Sequence, residues 1–102
     1  MPSLSQLASY VRSKNAGPFW VTVDIFCPDA QSLERVARSA SLSAEAIGEL
    51  YGVDARRVAH FRDDGLHVMK ISFPRREAQG STRDRDSHAG QYFVPLLDVE
   101  IS

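Results

Sequence analysis

The fold is decided by eight consecutive residues, Trp20-Val21-Thr22-Val23-Asp24-Ile25-Phe26-Cys27. Their side chains alternate strictly along the chain. One set is apolar and consists of Val21, Val23, Ile25 and Cys27, while the other set is Trp20, Thr22, Asp24 and Phe26. A period of two is typical of a β-strand with one face against a core. We therefore predict a strand over residues 20–27.

Two helices are predicted directly after this strand. Asp29 is a good N-cap for a helix whose apolar face is formed by Leu33, Val36, Ala37 and Ala40. Ser43 is the N-cap of a second helix, in which Ala46, Ile47, Leu50 and Tyr51 are expected to point inward. Gly52 stands where a left-handed C-cap ends such a helix.

The segment before the strand is ambiguous. Its apolar residues fall at helical spacing, and Ser3 with Gln6 forms a capping-box pattern. The pattern predicts a helix over residues 3–12, with a strand as the open alternative.

The second half of the chain reads as β-structure. Val58 to Arg62 and Leu66 to Phe73 are predicted strands, joined by a two-residue hairpin turn at Asp64-Gly65. Pro74 ends the second of them, and a long polar loop follows over residues 75–90. The last predicted strand runs from Phe93 to Ile101, with Leu97, Val99 and Ile101 inward.

These elements predict one α+β domain over residues 1–102. It has a mostly antiparallel sheet of about four strands with helices on one face. The expected core consists of Val21, Val23, Ile25, Leu33, Val36, Ile47, Leu50, Met69, Ile71, Phe73, Leu97 and Val99.

Composition excludes several classes of function. The net charge of −1 gives no general attraction to nucleic acid or to an anionic membrane. No stretch has the length of a membrane span, and no signal peptide is visible, so we expect a cytoplasmic location. The lone Cys27 excludes an internal disulfide, and it is expected to be a small buried hydrophobe.

Motifs for common cofactors and for hydrolysis are missing. No zinc-ligand spacing, nucleophile elbow, phosphate loop or dinucleotide fingerprint occurs, so we expect neither metal nor cofactor. The histidines His60 and His67 lie on opposite arms of the predicted hairpin. Asp24, Asp98 and Glu100 share the outward faces of two predicted strands, as a divalent-ion cluster or, more simply, as a solvated sheet face.

Two polar loops carry the remaining chemistry. The first is Arg12-Ser13-Lys14-Asn15-Ala16-Gly17-Pro18-Phe19, and the second spans residues 80–91. If the two loops meet at one end of the sheet, they form an anion-binding corner. Its predicted ligand-binding residues are Arg12, Ser13, Lys14, Asn15, Gly17, Gly80, Ser81 and Gln91, and its catalytic candidates are Lys14, Asp84 and Asp86. The alternative is structural: Arg12 pairs with Asp84, Asp86 or Asp98 and holds the long loop.

Several motifs resemble those of the domain of unknown function 4387 family. They are the run at residues 12–19 with the strand Thr22-Val23-Asp24-Ile25, then Leu50-Tyr51-Gly52-Val53, the loop Gly80-Ser81…Asp84-x-Asp86, and the ending Pro95-Leu96-Leu97-Asp98-Val99-Glu100-Ile101. More distantly, the chain is similar to the C-terminal domain of acyclic terpene utilisation A proteins, which opens with Arg-Ser-Gly-Asp-Lys-Gly. This chain departs from that motif at residues 15–18, and it has Gln91-Tyr92-Phe93 where the family often has Gln-Gln-His.

The resemblance has implications for fold and role. It implies a ferredoxin-like arrangement and a small subunit or partner of a larger acyclic terpene utilisation A-type protein, because family members tend to be encoded beside such proteins. The implied reaction is of the lyase or hydratase kind, on an acyl-CoA or small carboxylate. A non-catalytic module that binds a ligand or a protein is the alternative, and a homo-oligomer is left open.

Overall fold

A computed structural model describes residues 2–17, 19–75 and 93–101. In chain order, its regular elements are α1 (Leu4–Leu7), β1 (Tyr10–Asn15), β2 (Trp20–Phe26), α2 (Ala30–Arg38), α3 (Ala44–Tyr51), β3 (Ala59–Asp63) and β4 (Val68–Pro74). Short 3-10 turns occur at Ala40–Leu42, Ala55–Arg57 and Val94–Leu96. The α+β prediction is confirmed.

The four strands form one sheet in the order β1-β2-β4-β3, and every neighbouring pair is antiparallel. Among the described elements, β1 and β2 follow each other without an intervening helix. This order differs from the β-α-β-β-α-β order of a ferredoxin-like domain.

One face of the sheet packs against the helices, and we call it the helix face. Val21, Val23 and Ile25 of β2 are fully buried there together with Leu33 and Val36 of α2. Tyr51 of α3 stacks on Phe73 of β4 with ring centroids 4.4 Å apart. The opposite side of the sheet, which we call the outer face, carries the alternate residues of each strand.

The predicted caps of α2 and α3 are confirmed. An Asp29 carboxylate oxygen accepts a hydrogen bond from the Ser32 N–H at 2.8 Å, and the Ser43 hydroxyl accepts one from the Ala46 N–H at 3.2 Å. Gly52 ends α3 with φ of +69°, in the left-handed region that glycine adopts at little cost. Leu50 was predicted inward but is 44% exposed, because it lies on the solvent side of the last turn of α3.

The predicted helix over residues 3–12 is wrong beyond its first turn. Only Leu4–Leu7 is helical, with the Ser3 N–H donating to Gln6 Oε1 at 2.9 Å. From Tyr10 onward the chain forms β1, because pairing with β2 satisfies its backbone groups and buries Val11. The strand alternative is correct for this second part.

The hairpin turn also differs from its prediction. Asp63 is opposite Val68, so the loop has the four residues 64–67 rather than two. The Asp63 carboxylate accepts a hydrogen bond from the Leu66 N–H at 3.1 Å, and the positive φ falls on His67, at +54°. Leu66, predicted to begin the strand, lies in this loop and is 69% exposed.

The predicted last strand, Phe93 to Ile101, does not form. Val94–Leu96 is a 3-10 turn with Pro95 near its start, and proline lacks the N–H that a strand ladder needs. The segment instead joins the N-terminal residues: the Leu4 N–H donates to the Val99 carbonyl, and the Ile101 N–H donates to the Pro2 carbonyl, each at 2.8 Å. Ile101 is fully buried as predicted, whereas Leu97 and Val99 are half-buried at the margin of the core.

Candidate functional site

The polar run at residues 12–15 is a strand rather than a loop. Because side chains alternate along β1, Arg12 and Lys14 lie on the outer face and Ser13 and Asn15 on the helix face. The single corner predicted from Arg12, Lys14 and Asn15 is therefore not assembled. Gly17 lies in the β1–β2 turn with φ of +95°, and the Ala16 N–H closes that turn on the Trp20 carbonyl at 2.9 Å.

Arg12 forms an ion pair with Asp24 across the β1–β2 ladder. Its Nε donates to Asp24 Oδ2 at 3.0 Å, and its guanidinium carbon lies 5.1 Å from the centre of the Phe26 ring. Arg12 is half-exposed, whereas the Asp24 side chain is only 1% exposed. Arg12 therefore has a structural partner, but that partner is Asp24 and not Asp98, while Asp84 and Asp86, the other two predicted partners, lie outside the described residues.

One prediction placed Asp24 on a solvated carboxylate face of the sheet, and this prediction is wrong. Asp24 is 1% exposed and paired with Arg12, and among the described residues its Oδ1 atom has no hydrogen-bond partner. Asp98 and Glu100 are exposed on the C-terminal segment. No group of three or more acidic, histidine or cysteine side chains in the described ranges is placed to hold a metal ion.

The helix face of β1 holds a second polar group, which we call the Arg75 cluster and define as Ser13, Asn15 and Arg75. The Asn15 side-chain oxygen accepts a hydrogen bond from Arg75 Nη1, and the Arg75 N–H donates to the Phe19 carbonyl at 2.6 Å. The Ser13 hydroxyl accepts from the Phe93 N–H at 3.0 Å. Ser13 and Arg75 are 8% and 6% exposed.

The Arg75 cluster therefore ties both ends of the segment 76–92 to β1. Arg75 immediately precedes that segment and Phe93 immediately follows it. Gly80, Ser81, Asp84, Asp86 and Gln91, which were predicted to complete the site, lie outside the described residues. The flanks of the second predicted loop are thus brought to Ser13 and Asn15 of the first, and not to Arg12 or Lys14.

A buried guanidinium that donates to an amide oxygen has a definite chemistry. Arginine presents five donors in a planar fork that matches carboxylate or phosphate, and low exposure strengthens such hydrogen bonds. Arg75 was not among the predicted site residues, because in the sequence it is the first residue of a polar loop. The available signal was its position directly after Pro74, where β4 ends.

In the described part of the chain, Cys27 and His60 have structural surroundings. Burial raises the pKa of the Cys27 thiol above its ordinary value, and the nearby Asp29 carboxylate raises it further. His60 Nε2 lies 2.7 Å from the Leu42 carbonyl oxygen on the helix face, so it caps the 3-10 turn before α3. His67 occupies the β3–β4 loop, so the two histidines are not paired across the hairpin.

The described surface also contains a groove of about 410 Å³ on α2. It is lined by Gln31, Glu34, Arg35 and Arg38, and it includes no predicted site residue. Within the described ranges, no helix has the length and hydropathy needed to cross a membrane.

A family model described as domain of unknown function 4387 matches residues 4–100. The chain belongs to this family. The match covers α1, all four strands and the C-terminal segment up to Glu100, so the Arg75 cluster and the Arg12–Asp24 pair both lie inside the family domain. No curated protein and no solved structure matches the chain significantly.

Proposed function

We propose that this chain is the small subunit of a two-component enzyme whose larger component is an acyclic terpene utilisation A-type protein. The substrate is an acyl-CoA or a small carboxylate, and the reaction is of the lyase or hydratase kind. In this proposal the chain contributes anion recognition to a shared site. The observation that carries it is the Arg75 cluster, a buried arginine held by Asn15 at the root of the segment 76–92.

Two acids of the described ranges, Asp54 and Asp29, are poor candidates for a general base. Hydrogen bonds and charge from Arg56 lower the pKa of Asp54 to about 2, and the Ser32 backbone and side chain lower that of Asp29. Asp24 is committed to Arg12. The lowered pKa values of Asp54 and Asp29 make these two carboxylates weak general bases, and in this proposal the larger component supplies the acid–base groups.

Lys14 stays a catalytic candidate only at an interface. It is exposed on the outer face, away from Ser13 and Asn15, so a substrate bound at the Arg75 cluster would not meet it on the same side of the sheet. Asp84 and Asp86 remain candidates on the segment that the Arg75 cluster anchors.

The test is to co-express the chain with the larger protein, isolate the complex, and titrate it with acetyl-CoA and with propionate by calorimetry. Arg75→Ala should weaken binding about tenfold or more, because a charge-assisted hydrogen bond contributes roughly 1.5–3 kcal/mol. Arg75→Lys, which keeps the charge and loses the fork, should also weaken it. The matched control is Arg38→Ala on α2, which lies 3.9 Å from Glu34 and should bind like wild type.

Two results would refute the proposal. One is the failure of the two proteins to co-elute. The other is a complex in which the Arg75 variants bind both probes as tightly as the control. A complex that forms and is active, but whose substrate affinity ignores Arg75, favours the alternative role of a non-catalytic protein-binding module.

A further inference from the structure

The outer face of the sheet is a defined grid of side chains. The strand register places Tyr10, Phe26, Val68 and Asp63 in one row, and Arg12, Asp24, Lys70 and Phe61 in the next. A third row consists of Lys14, Thr22, Ser72 and Ala59. The Thr22 and Ser72 hydroxyls are 3.0 Å apart, which confirms that neighbouring strands share this face.

The exposed charge of this face is positive. Both lysines of the chain, Lys14 and Lys70, lie on it and are exposed, together with the half-exposed Arg12. Asp24 is buried beneath Arg12 and cannot be met by a partner, so Asp63 at the corner is the exposed acid of the grid. The chain as a whole has a net charge of −1, so this surface differs in sign from the protein that carries it.

Large aromatic side chains flank these cations. Tyr10 on one edge strand is 59% exposed and Phe61 on the other is 58% exposed. Tyr10 lies against Phe26, with ring centroids 5.8 Å apart, and Arg12 covers the same Phe26 ring. Exposed aromatics beside cations, on rigid paired strands, are typical of a protein-binding surface.

We propose that the outer face is where the larger protein partner docks, through a surface that presents carboxylates opposite Lys14 and Lys70 and apolar groups opposite Tyr10 and Phe61. This inference rests on the proposed function and names its interface. Charge complementarity selects the occupant. A second copy docked through the same face would set lysines against lysines, and a nucleic acid would meet three cations among the described residues of this face, on a chain that is negative overall.

The two lysines provide a direct measurement on the unaltered protein. The isolated chain and the purified complex are treated with an amine-acetylating reagent, and the modification of Lys14 and Lys70 is followed by mass spectrometry. Both lysines should react at least about fivefold more slowly in the complex, since an interface excludes solvent from its core.

Charge-reversal variants provide the second arm. Lys14→Glu with Lys70→Glu should weaken the complex about tenfold or more and reduce the salt dependence of its affinity. The control, Arg35→Glu with Arg38→Glu, makes the same change of charge on exposed residues of α2 and should leave the affinity near wild type.

The outcomes separate this inference from the function on which it rests. If the complex forms but both lysines react as in the free chain, the docking face is wrong and the two-component function stands. Protection in the isolated chain at high concentration, with a dimeric mass, replaces the partner by a second copy and overturns the inference. Protection by a single-stranded RNA oligonucleotide overturns it as well. If no complex forms, the function and its interface fail together.

Discussion

On β1, Arg12 and Lys14 point to the outer face of the sheet, whereas Ser13 and Asn15, their immediate neighbours, point to the helix face. Arg12 pairs with Asp24, and Lys14 is exposed to solvent. The second pair meets Arg75 and the backbone of Phe93 in a nearly closed environment. Four polar residues that are contiguous in sequence therefore serve two separate surfaces, because a strand assigns alternate residues to opposite sides.

The difference teaches which residues can share a ligand. Consecutive polar residues can form one site if they lie in a loop. If they lie in a strand, they are divided between two faces of the sheet. Here the cation that donates a hydrogen bond to Asn15 is Arg75, sixty residues away from it in the chain.

The largest difference in stability between the two faces should appear when a charged residue is introduced on β2. Val23 is fully buried on the helix face, so Val23→Asp should cost several kcal/mol and unfold the domain, because an unpaired charge is buried. Thr22→Asp introduces the same carboxylate at the adjacent residue, which lies on the outer face opposite Lys14, and this variant should stay folded. Circular dichroism during urea titration distinguishes them. A folded Val23→Asp protein would contradict the assignment of faces.

A smaller difference is expected on β1 itself. Ser13→Ala removes the acceptor of the Phe93 N–H and should cost about 1 kcal/mol in the free energy of unfolding. Lys14→Ala, on the exposed side, should change it by less than about 0.5 kcal/mol. Both values come from urea titrations of the isolated chain. Equal losses in the two variants would show that the alternation along β1 does not decide the energetics.

The last prediction concerns the reactivity of the Cys27 thiol, directly after β2, and here we expect the smallest effect. Because its thiol is 6% exposed and its pKa is raised, it should react with iodoacetamide at pH 7 far more slowly than the same thiol in the urea-unfolded chain. The reaction should accelerate only as pH rises above the ordinary range for thiols. Rapid alkylation of the folded protein at neutral pH would instead indicate an activated thiolate.

Elements with local signals were predictable from sequence. The alternation of apolar and polar residues predicts β2, and the capping residues Asp29, Ser43 and Gly52 predict α2 and α3. Caps and periodicity are local signals because they involve residues close together in the chain. For β1 a helix was preferred over the strand alternative because Leu4, Leu7 and Val11 satisfy helical spacing, although the strand starts at Tyr10. Its pairing with β2 is a tertiary interaction that a propensity pattern does not contain.

The candidate site was predictable only in part, for the same reason. Ser13 and Asn15 stood out by composition, but Asp24 and Arg75 act through contacts across the sheet. Asp24 looked like one residue on the polar side of a strand, and nothing in the local sequence indicates that Arg12 buries it. Arg75 acquires its environment from Asn15 and from the turn at Phe19.

The most direct test of the account asks whether Arg12 is a structural residue bound to Asp24. A double-mutant cycle combines Arg12→Ala and Asp24→Asn, with the free energy of unfolding measured in urea for all four proteins. Arg12→Ala leaves a buried carboxylate unpaired, so we expect it to lose about 1–2 kcal/mol, reduced from the fully buried value because Arg12 is half-exposed. Asp24→Asn should recover much of that loss, which gives a coupling energy of about 1 kcal/mol. A coupling energy near zero, with the affinity of the complex for acetyl-CoA falling in Arg12→Ala by as much as is expected for Arg75→Ala, would contradict the division of β1 into two surfaces.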